Sequence, residues 1–373
     1  MKILVANIGS TSFKFRLFDM GGQEREIASG SAERVGDYGA AIDSALAELV
    51  RAGKIRDKSD LGAVAFKAIM AGDAEPVALV DEKLLARMEQ FAPVAPAHNP
   101  PYIAAMRMFA KELPGVPLVA AFEPGFHRTN PDRRRYYAVP PAWAAEYGVK
   151  RYGFHGASHA YIAAAMGELQ PGARRVISCH LGGSSSLCAI LDGQSVATSM
   201  GLSPQSGLPQ SNRAGDFDPF AFPLLAARAR MDTPAVLEAL GSQGGLAALS
   251  GTSGDMRDIE QAMAAGSEDA RLAFEVYVTA VRDYLGAYLV ELGGADAIVF
   301  TGGIGQKSPA VRAAVCAGLE FAGIAIDESK NAAAKADVRL DATGSKTAVW
   351  VVATNEELIV ARQAKELIPV RRD

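Results

Sequence analysis

The sequence predicts an α/β protein built from two related halves, and three observations carry that expectation. A strand–turn–strand signature occurs twice, over residues 3–19 and 176–192, and the copies align without a gap at an offset of 173. Each is an apolar run, a small polar turn (Gly9-Ser10-Thr11-Ser12 or Gly182-Gly183-Ser184-Ser185), and a second apolar run. A third glycine-rich turn, Gly302-Gly303-Ile304-Gly305, follows another buried run at Ala297–Thr301. Around these units, strand-like runs alternate with helical patterns, as in layered α/β domains. Small residues let backbone N–H groups and hydroxyls close on a phosphate without a Cβ in the way. The repeat therefore implies a duplicated domain with a phosphate-bearing ligand between the halves.

Taken in order, residues 1–19 read as the first hairpin. Residues 39–52 carry Ala, Ile and Leu on one helical face, and Leu61–Ala68 is a short apolar strand. Residues 81–91 form an amphipathic helix closed by the Pro-rich run 93–101, and residues 102–112 a second helix stopped by Pro114-Gly115. Residues 117–122 form a strand that delivers Glu123 at its carboxyl end, where ligands of α/β sheets collect. The second half opens on Gly153-Phe154-His155-Gly156-Ala157-Ser158-His159 and an Ala-rich helix, followed by the second hairpin. Residues 200–219 are irregular and rich in Gly, Pro, Ser and Asn; loops this long in a compact domain are often functional. Helices fill much of 220–292. Residues 349–353 form the last strand, before a terminal helix capped by Thr354 or Asn355 with Glu356 and Glu357 in its first turn.

At 373 residues the chain has room for two cores. Its net charge of −4 and 21% charged residues are ordinary for a globular protein and give no basic tract for nucleic acid. Arg133-Arg134-Arg135, the one basic triplet, reads as a solvated loop. The three cysteines show no CxxC spacing and read as small core residues in a reducing compartment. No apolar window is long enough to span a membrane, and the expected location is cytoplasmic.

Four of the five histidines, His98, His127, His155 and His180, stand beside Gly, Pro or Asn near strand ends; the fifth is His159. His155 and His159 have the i, i+4 spacing of a zinc pair but lack a third ligand motif. Asp255-Met256-Arg257 precedes a helix and reads either as an N-cap with a surface ion pair or as an arginine stacked on a planar base. Arg213 lies in the long loop among small residues, where a guanidinium could reach a transferring phosphoryl group.

Taken together, these motifs resemble the acetate kinase family of short-chain carboxylate kinases, in the acetate and sugar kinase/Hsp70/actin superfamily. The matching pieces are Asn7 to Lys14, Ala97-His98-Asn99-Pro100-Pro101, Gly153 to His159, Cys179-His180-Leu181-Gly182, Asn212 to Pro219, Asp255-Met256-Arg257, Gly302 to Gly305 and Thr354 to Leu358, in the family's order. The resemblance implies two duplicated actin-like (ribonuclease H-like) ATPase domains around a central cleft. One would span 1–150 plus 354–373, the other 151–353. It implies reversible phosphoryl transfer from ATP to a carboxylate, with Mg²⁺ or Mn²⁺, in a homodimer. By the same carry-over Asn7 and Glu356 would hold the metal. Lys14, His180, Leu181, Gly182, Gly183 and Ser184 would meet nucleotide phosphates. Asp255, Met256, Arg257, Gly303, Ile304 and Gly305 would hold adenosine. Glu123, His155 and Arg213 would be catalytic, and Lys67, Ile69, Ala97, His98, Phe154 and Pro204 would receive the acceptor.

The departures cluster on the acceptor side. The family's substrate-binding arginine is replaced by Lys67, and a nearby histidine by Met70. Its catalytic aspartate becomes Glu123, an asparagine of the second turn becomes Gly183, and its Pro-Leu-Glu-Gly segment reads Pro204-Gln205-Ser206-Gly207. Lysine cannot make the planar two-point clamp that arginine makes on a carboxylate. The expectation is a kinase for acetate or a related acid of altered size. Two alternatives remain open: a superfamily kinase for a larger or hydroxylated acceptor, or a catalytically weak nucleotide-binding regulator.

Overall fold

The computed structural model describes residues 1–9, 12–33, 38–96 and 98–368. Among the described residues, twelve strands form two six-stranded sheets. The first contains β1 (Lys2–Ile8), β2 (Ser12–Asp19), β3 (Arg25–Glu33), β4 (Leu61–Ala68), β5 (Val77–Leu79) and β6 (Leu118–Phe122), in the order β3-β2-β1-β4-β6-β5. The second contains β7 (Arg175–Leu181), β8 (Ser185–Leu191), β9 (Gln194–Thr198), β10 (Ala297–Thr301), β11 (Val338–Arg339) and β12 (Ala348–Val351). Its order, β11-β12-β10-β7-β8-β9, is that of the first sheet reversed in direction of reading. Each sheet joins an antiparallel three-strand meander to two parallel strands and an antiparallel edge. The chain is thus two similar α/β domains, as the repeat predicts.

The apolar alternation explains which faces are covered. On the first sheet Ile3, Val5, Ala63, Ala65, Val119 and Ala121 meet Ile359, Val360, Ala361 and Ala364 of the terminal helix Glu356–Leu367. On the second, Val176, Cys188, Ile190, Ala297, Val299 and Trp350 meet Ile162 and Met166 of the helix Gly156–Leu169. These two helices also pack on each other, joining the halves at their centre. The opposite faces carry larger cores, one beneath the helices Tyr38–Arg51 and Asn99–Glu112, the other around the long helix Glu268–Leu292.

Gly302-Gly303-Ile304-Gly305 turns the chain from β10 directly into a short helix, Gly302–Lys307, and Gly302 absorbs the bend with φ +77°. One expectation changes. The Arg133-Arg134-Arg135 triplet is not a solvated loop. It lies in the short helix Asp132–Arg135, where Arg133 and Arg134 both grip Glu291 at the end of the long helix. Of the expected phosphate turn, Ser10 and Thr11 lie outside the described residues.

Candidate active site

The cleft is bounded on one side by the carboxyl ends of β1, β4 and β6. β1 carries Asn7, whose Oδ1 accepts from the Tyr102 hydroxyl at 3.2 Å; the same Tyr102 oxygen accepts from Ile8 N–H at 3.2 Å. β4 carries Lys67. Its Nζ donates to Glu356 Oε2 at 2.6 Å and lies 3.8 Å from Glu123 Oε1. Glu356 starts the terminal helix, whose N-cap is Asn355, and Glu123 follows β6 directly. Glu123 is only 4% exposed, and neither carboxylate oxygen has a hydrogen-bond partner among the described residues. Burial pushes its carboxyl up to about 7, against the pull of Lys67. For Glu356 burial also pushes upward, but the Lys67 ammonium and His180 more than reverse it and hold that carboxyl at about 2. Burial opposes the Lys67 charge, yet the two carboxylates hold its pKa above the usual lysine value.

The other wall is the end of β7 and the start of the helix Gly156–Leu169. His155 sits at the N-cap with φ +56°, a conformation uncommon outside glycine and frequent at functional sites. Gly156 comes so close to Glu123 that a Cβ would stand 1.9 Å from the Glu123 carbonyl oxygen, so only glycine lets the two walls meet here. His155 and His180 stack with ring centroids 4.2 Å apart, and His159 and His127 follow behind them. All four are held below the usual histidine pKa, first by burial. The structure gives His155 and His159 serine partners rather than a metal set.

Arg213, in the long irregular segment, is held by Gln210 Oε1 at 3.0 Å and reaches Ser184 Oγ and the Pro204 carbonyl, each at 3.5 Å. His98 lies half-buried, its pKa lowered to about 4 by burial and then by Arg213 and Lys67. Those two charges, from opposite halves, therefore face the same ring. Ile69 and Phe154 pack in one apolar cluster with Met70, Tyr152 and Met200. Pro204 stands beside Arg213, and Ala97 lies outside the described residues.

A cavity of about 220 Å³ opens beside this wall, lined by Gly182, Gly183, Asp255, Met256, Arg257, Gly303 and Ile304, with Lys307 and Glu260 at its rim. Asp255 is the N-cap of the helix Met256–Ala264 and also pairs with Arg257 at 2.6 Å, so the ion-pair reading of this motif is present; Arg257 is 80% exposed beside the cavity. Ser184 is partly buried, Leu181 is fully buried beneath the turn, and Gly305 lies inside the short helix behind it. Lys14 lies across the ladder from Asn7, on β2 at the surface of a second cavity that both residues line, 3.6 Å from Glu33.

Sequence reasoning missed Tyr102, Gln210, Glu260 and Lys307, and it gave Ser186 and Ser178 no role. Tyr102 directly follows the Ala97–Pro101 motif, which was its one available signal.

A family model described as the acetokinase family matches residues 31–362. A propionate kinase of Citrobacter rodentium is 38% identical over 392 residues, covering 98% of this chain and 96% of that protein. An acetate kinase of Carboxydothermus hydrogenoformans is 36% identical, covering 99% of each. The crystal structure of Porphyromonas gingivalis acetate kinase superposes with a TM-score of 0.90 at 30% identity, over 99% of this chain and all of that one. With its doubled fold, its cleft and this match over most of its length, the chain belongs to the acetokinase family.

Proposed function

We propose that the chain is an ATP-dependent carboxylate kinase. An oxygen of the acid attacks the γ-phosphorus of ATP, the bond from that phosphorus to the bridging oxygen breaks, and acyl phosphate and ADP leave; the step runs in both directions. One observation carries this reading. The cavity lined by Asp255, Arg257, Gly303 and Ile304 ends on the Gly182–Ser184 turn that Arg213 touches, and the buried Lys67–Glu123–Glu356 cluster belongs to the facing half. Phosphoryl transfer asks for positioning and positive charge more than covalent chemistry.

The residue roles follow. Asp255, Met256, Arg257, Gly303, Ile304 and Gly305 hold the nucleoside. His180, Leu181, Gly182, Gly183 and Ser184 shape the phosphate path, with Lys14 at its outer edge. Arg213 and His155 stabilise the phosphoryl group in flight. Asn7 and Glu356 hold Mg²⁺ or Mn²⁺. The donor set would suit such a cation: it offers the amide oxygen of Asn7 and the carboxylate of Glu356, all hard oxygen donors. The bound cation would neutralise phosphate charge. Glu123, near neutrality in its pKa, can carry a proton and donate it to the acceptor carboxylate in a hydrogen bond instead of repelling it. Lys67, Ile69, Ala97, His98, Phe154 and Pro204 receive the acid. Residues 1–150 with 354–373 form one domain and 151–353 the other, as the packing of the terminal helix on the first sheet supports.

The acceptor is proposed to be propionate or another acid of three or four carbons, with or without a hydroxyl, used at least as well as acetate. The apolar patch of Ile69, Met70, Phe154 and Met200 supports it. Each buried methylene is worth about 0.8 kcal/mol, or roughly fourfold in kcat/KM. Trapping the acyl phosphate as hydroxamate, with ATP, Mg²⁺ and acetate, propionate, butyrate or lactate, tests both levels. A tenfold preference for acetate over all the others ends the acceptor proposal. Nucleotide binding without hydroxamate from any acid favours the regulator reading, which the Lys67–Glu356 ion pair keeps alive.

A homodimer is proposed as well. The long helix exposes Leu272, Val276 and Val290, an apolar face suited to a second copy; sedimentation of a monomer at micromolar concentration would refute it. Three free buried cysteines suit a reducing cytoplasm, and no helix of the described residues is long and apolar enough to cross a membrane.

A further inference from the structure

We infer that buried serine hydroxyls fix both cleft histidines, His155 and His180, as the tautomer with hydrogen on Nε2, so that Ser178 and His159 are positioning residues for His155. A neutral imidazole has one N–H and one bare nitrogen, and the bond made by one decides what the other offers. His155 Nδ1 lies 2.8 Å from Ser186 Oγ, and the same oxygen lies 2.9 Å from His159 Nε2. His159 Nδ1 in turn lies 2.9 Å from Ser178 Oγ. All three of Ser186, His159 and Ser178 are fully buried.

A hydroxyl has one hydrogen, so the chain can run in only two directions. Ser178 decides between them, because its hydroxyl has no other partner among the described residues. If His159 donated to Ser178, the serine hydrogen would be buried without an acceptor, which disfavours that order by roughly 5- to 150-fold. Ser178 therefore donates to His159 Nδ1. His159 Nε2–H donates to Ser186, Ser186 donates to His155 Nδ1, and His155 is left with hydrogen on Nε2. That nitrogen has no protein partner among the described residues.

His180 repeats the logic in one step. Its Nδ1 lies 2.8 Å from Ser158 Oγ, which is buried and has no other partner among the described residues, so Ser158 donates and His180 also keeps hydrogen on Nε2. Two stacked, uncharged rings thus carry their hydrogens on Nε2, with no rotation or proton uptake needed. Burial of the cluster, which keeps these rings neutral, supports the assignment. What the donors are for, phosphoryl oxygens in flight, rests on the carboxylate kinase reading; the tautomers themselves do not.

Long-range ¹H–¹⁵N spectra of the full chain with ¹⁵N-histidine at pH 7.5 test the inference directly. His155 and His180, assigned through single His→Gln variants, should show a protonated Nε2 and a bare Nδ1. Hydrogen on Nδ1 of His155 in the unaltered chain overturns the inference, whatever the variants do. Ser178→Ala should turn His155 into a mixture of tautomers and lower kcat about two- to tenfold with KM for ATP and acid unmoved, and Ser178→Thr should restore both. A folded Ser178→Ala chain with the His155 tautomer unchanged also overturns it. Should Ser178→Ala not fold, Ser158→Ala puts the same question to His180. If the unaltered chain shows these tautomers but makes no acyl phosphate, the functional reading has failed and this one stands.

Discussion

The two strand–turn–strand units start from aligned sequences and end in opposite environments. In the first, Asn7 pairs with Lys14 across the ladder, and Lys14 and Arg16 meet Glu33, Glu26 and Glu357 in water-exposed ion pairs of 3.3–3.8 Å. In the second, His180 pairs with Ser186, and both are buried among neutral imidazoles. The pairing also slips. Ile8 stands opposite Phe13, but Leu181 stands opposite Ser185, so the second turn is one residue tighter. Side chains alternate along a strand, so a slip of one exchanges the faces. By sequence Lys14 matches Leu187, a core residue; by ladder position it matches Ser186, a residue of the cleft wall. One half keeps its charge in solvent or in a tight internal cluster. The other lines its wall of the cleft with uncharged imidazoles and hydroxyls and sets the half-buried guanidinium of Arg213 beside them.

Removing the central ammonium of the internal cluster should break the contrast most severely. Lys67→Met leaves Glu356 and Glu123 buried together without compensation, and chemical denaturation should show a loss of about 3–5 kcal/mol; an unchanged midpoint would mean that solvent already neutralises the pair. Arg213→Ala takes the guanidinium from beside the neutral wall. It should lower kcat roughly 10²–10³-fold with KM for ATP little changed, and near-normal turnover would move the catalytic weight to the first half.

Acid tests the neutral side as a whole. Above about pH 7 the histidines are uncharged in both folded and unfolded chains and contribute nothing. As pH falls below 6.5 the unfolded chain binds protons that the folded one refuses, since burial holds His127 at about 4 and lowers His155, His159 and His180. Stability should therefore drop between pH 6.5 and 4, on the order of 3 kcal/mol for His127 alone. A melting temperature flat across that window would show that water reaches the cluster. On the rim, Arg257→Ala should raise KM for ATP about 5- to 30-fold, the worth of a stacked cation; unchanged affinity in a binding titration leaves only its ion pair with Asp255. The smallest effect belongs to the exposed half. Lys14→Ala loses a surface pair, and kcat/KM should change by less than about threefold.

Much of the fold was legible because burial patterns are local. Leu61–Ala68 appears with the bounds its apolar run suggests, and the segment 200–219 stays irregular as its Gly and Pro content implies. The tighter second turn was not legible. It depends on Ser185, whose hydroxyl bonds Gly182 at both its N–H and its carbonyl and also meets Tyr277, far along the chain. The first turn closes instead through backbone, from Gly9 N–H to the Ser12 carbonyl. Lys67 stood out in the sequence only as a missing arginine; that its ammonium would sit against Glu356, 289 positions away, is a matter of tertiary structure. Serines in apolar strands look like filler until the rings beside them are known, which is why Ser178 and Ser186 carried no signal.

The terminal helix has a consequence for how the molecule is made. The first sheet is complete once β6 has emerged, yet the face bearing Ile3, Val5, Ala65 and Val119 meets Ala157 of the next domain's helix first and Ile359 to Ala364 only at the end. At about 5–20 residues per second, translation of the intervening chain leaves that apolar face open on the ribosome for at least about ten seconds. Glu356 arrives with the same helix. The nascent protein thus carries a sticky, catalytically incomplete first half through most of its synthesis, a natural client for a chaperone that binds early and lets go late.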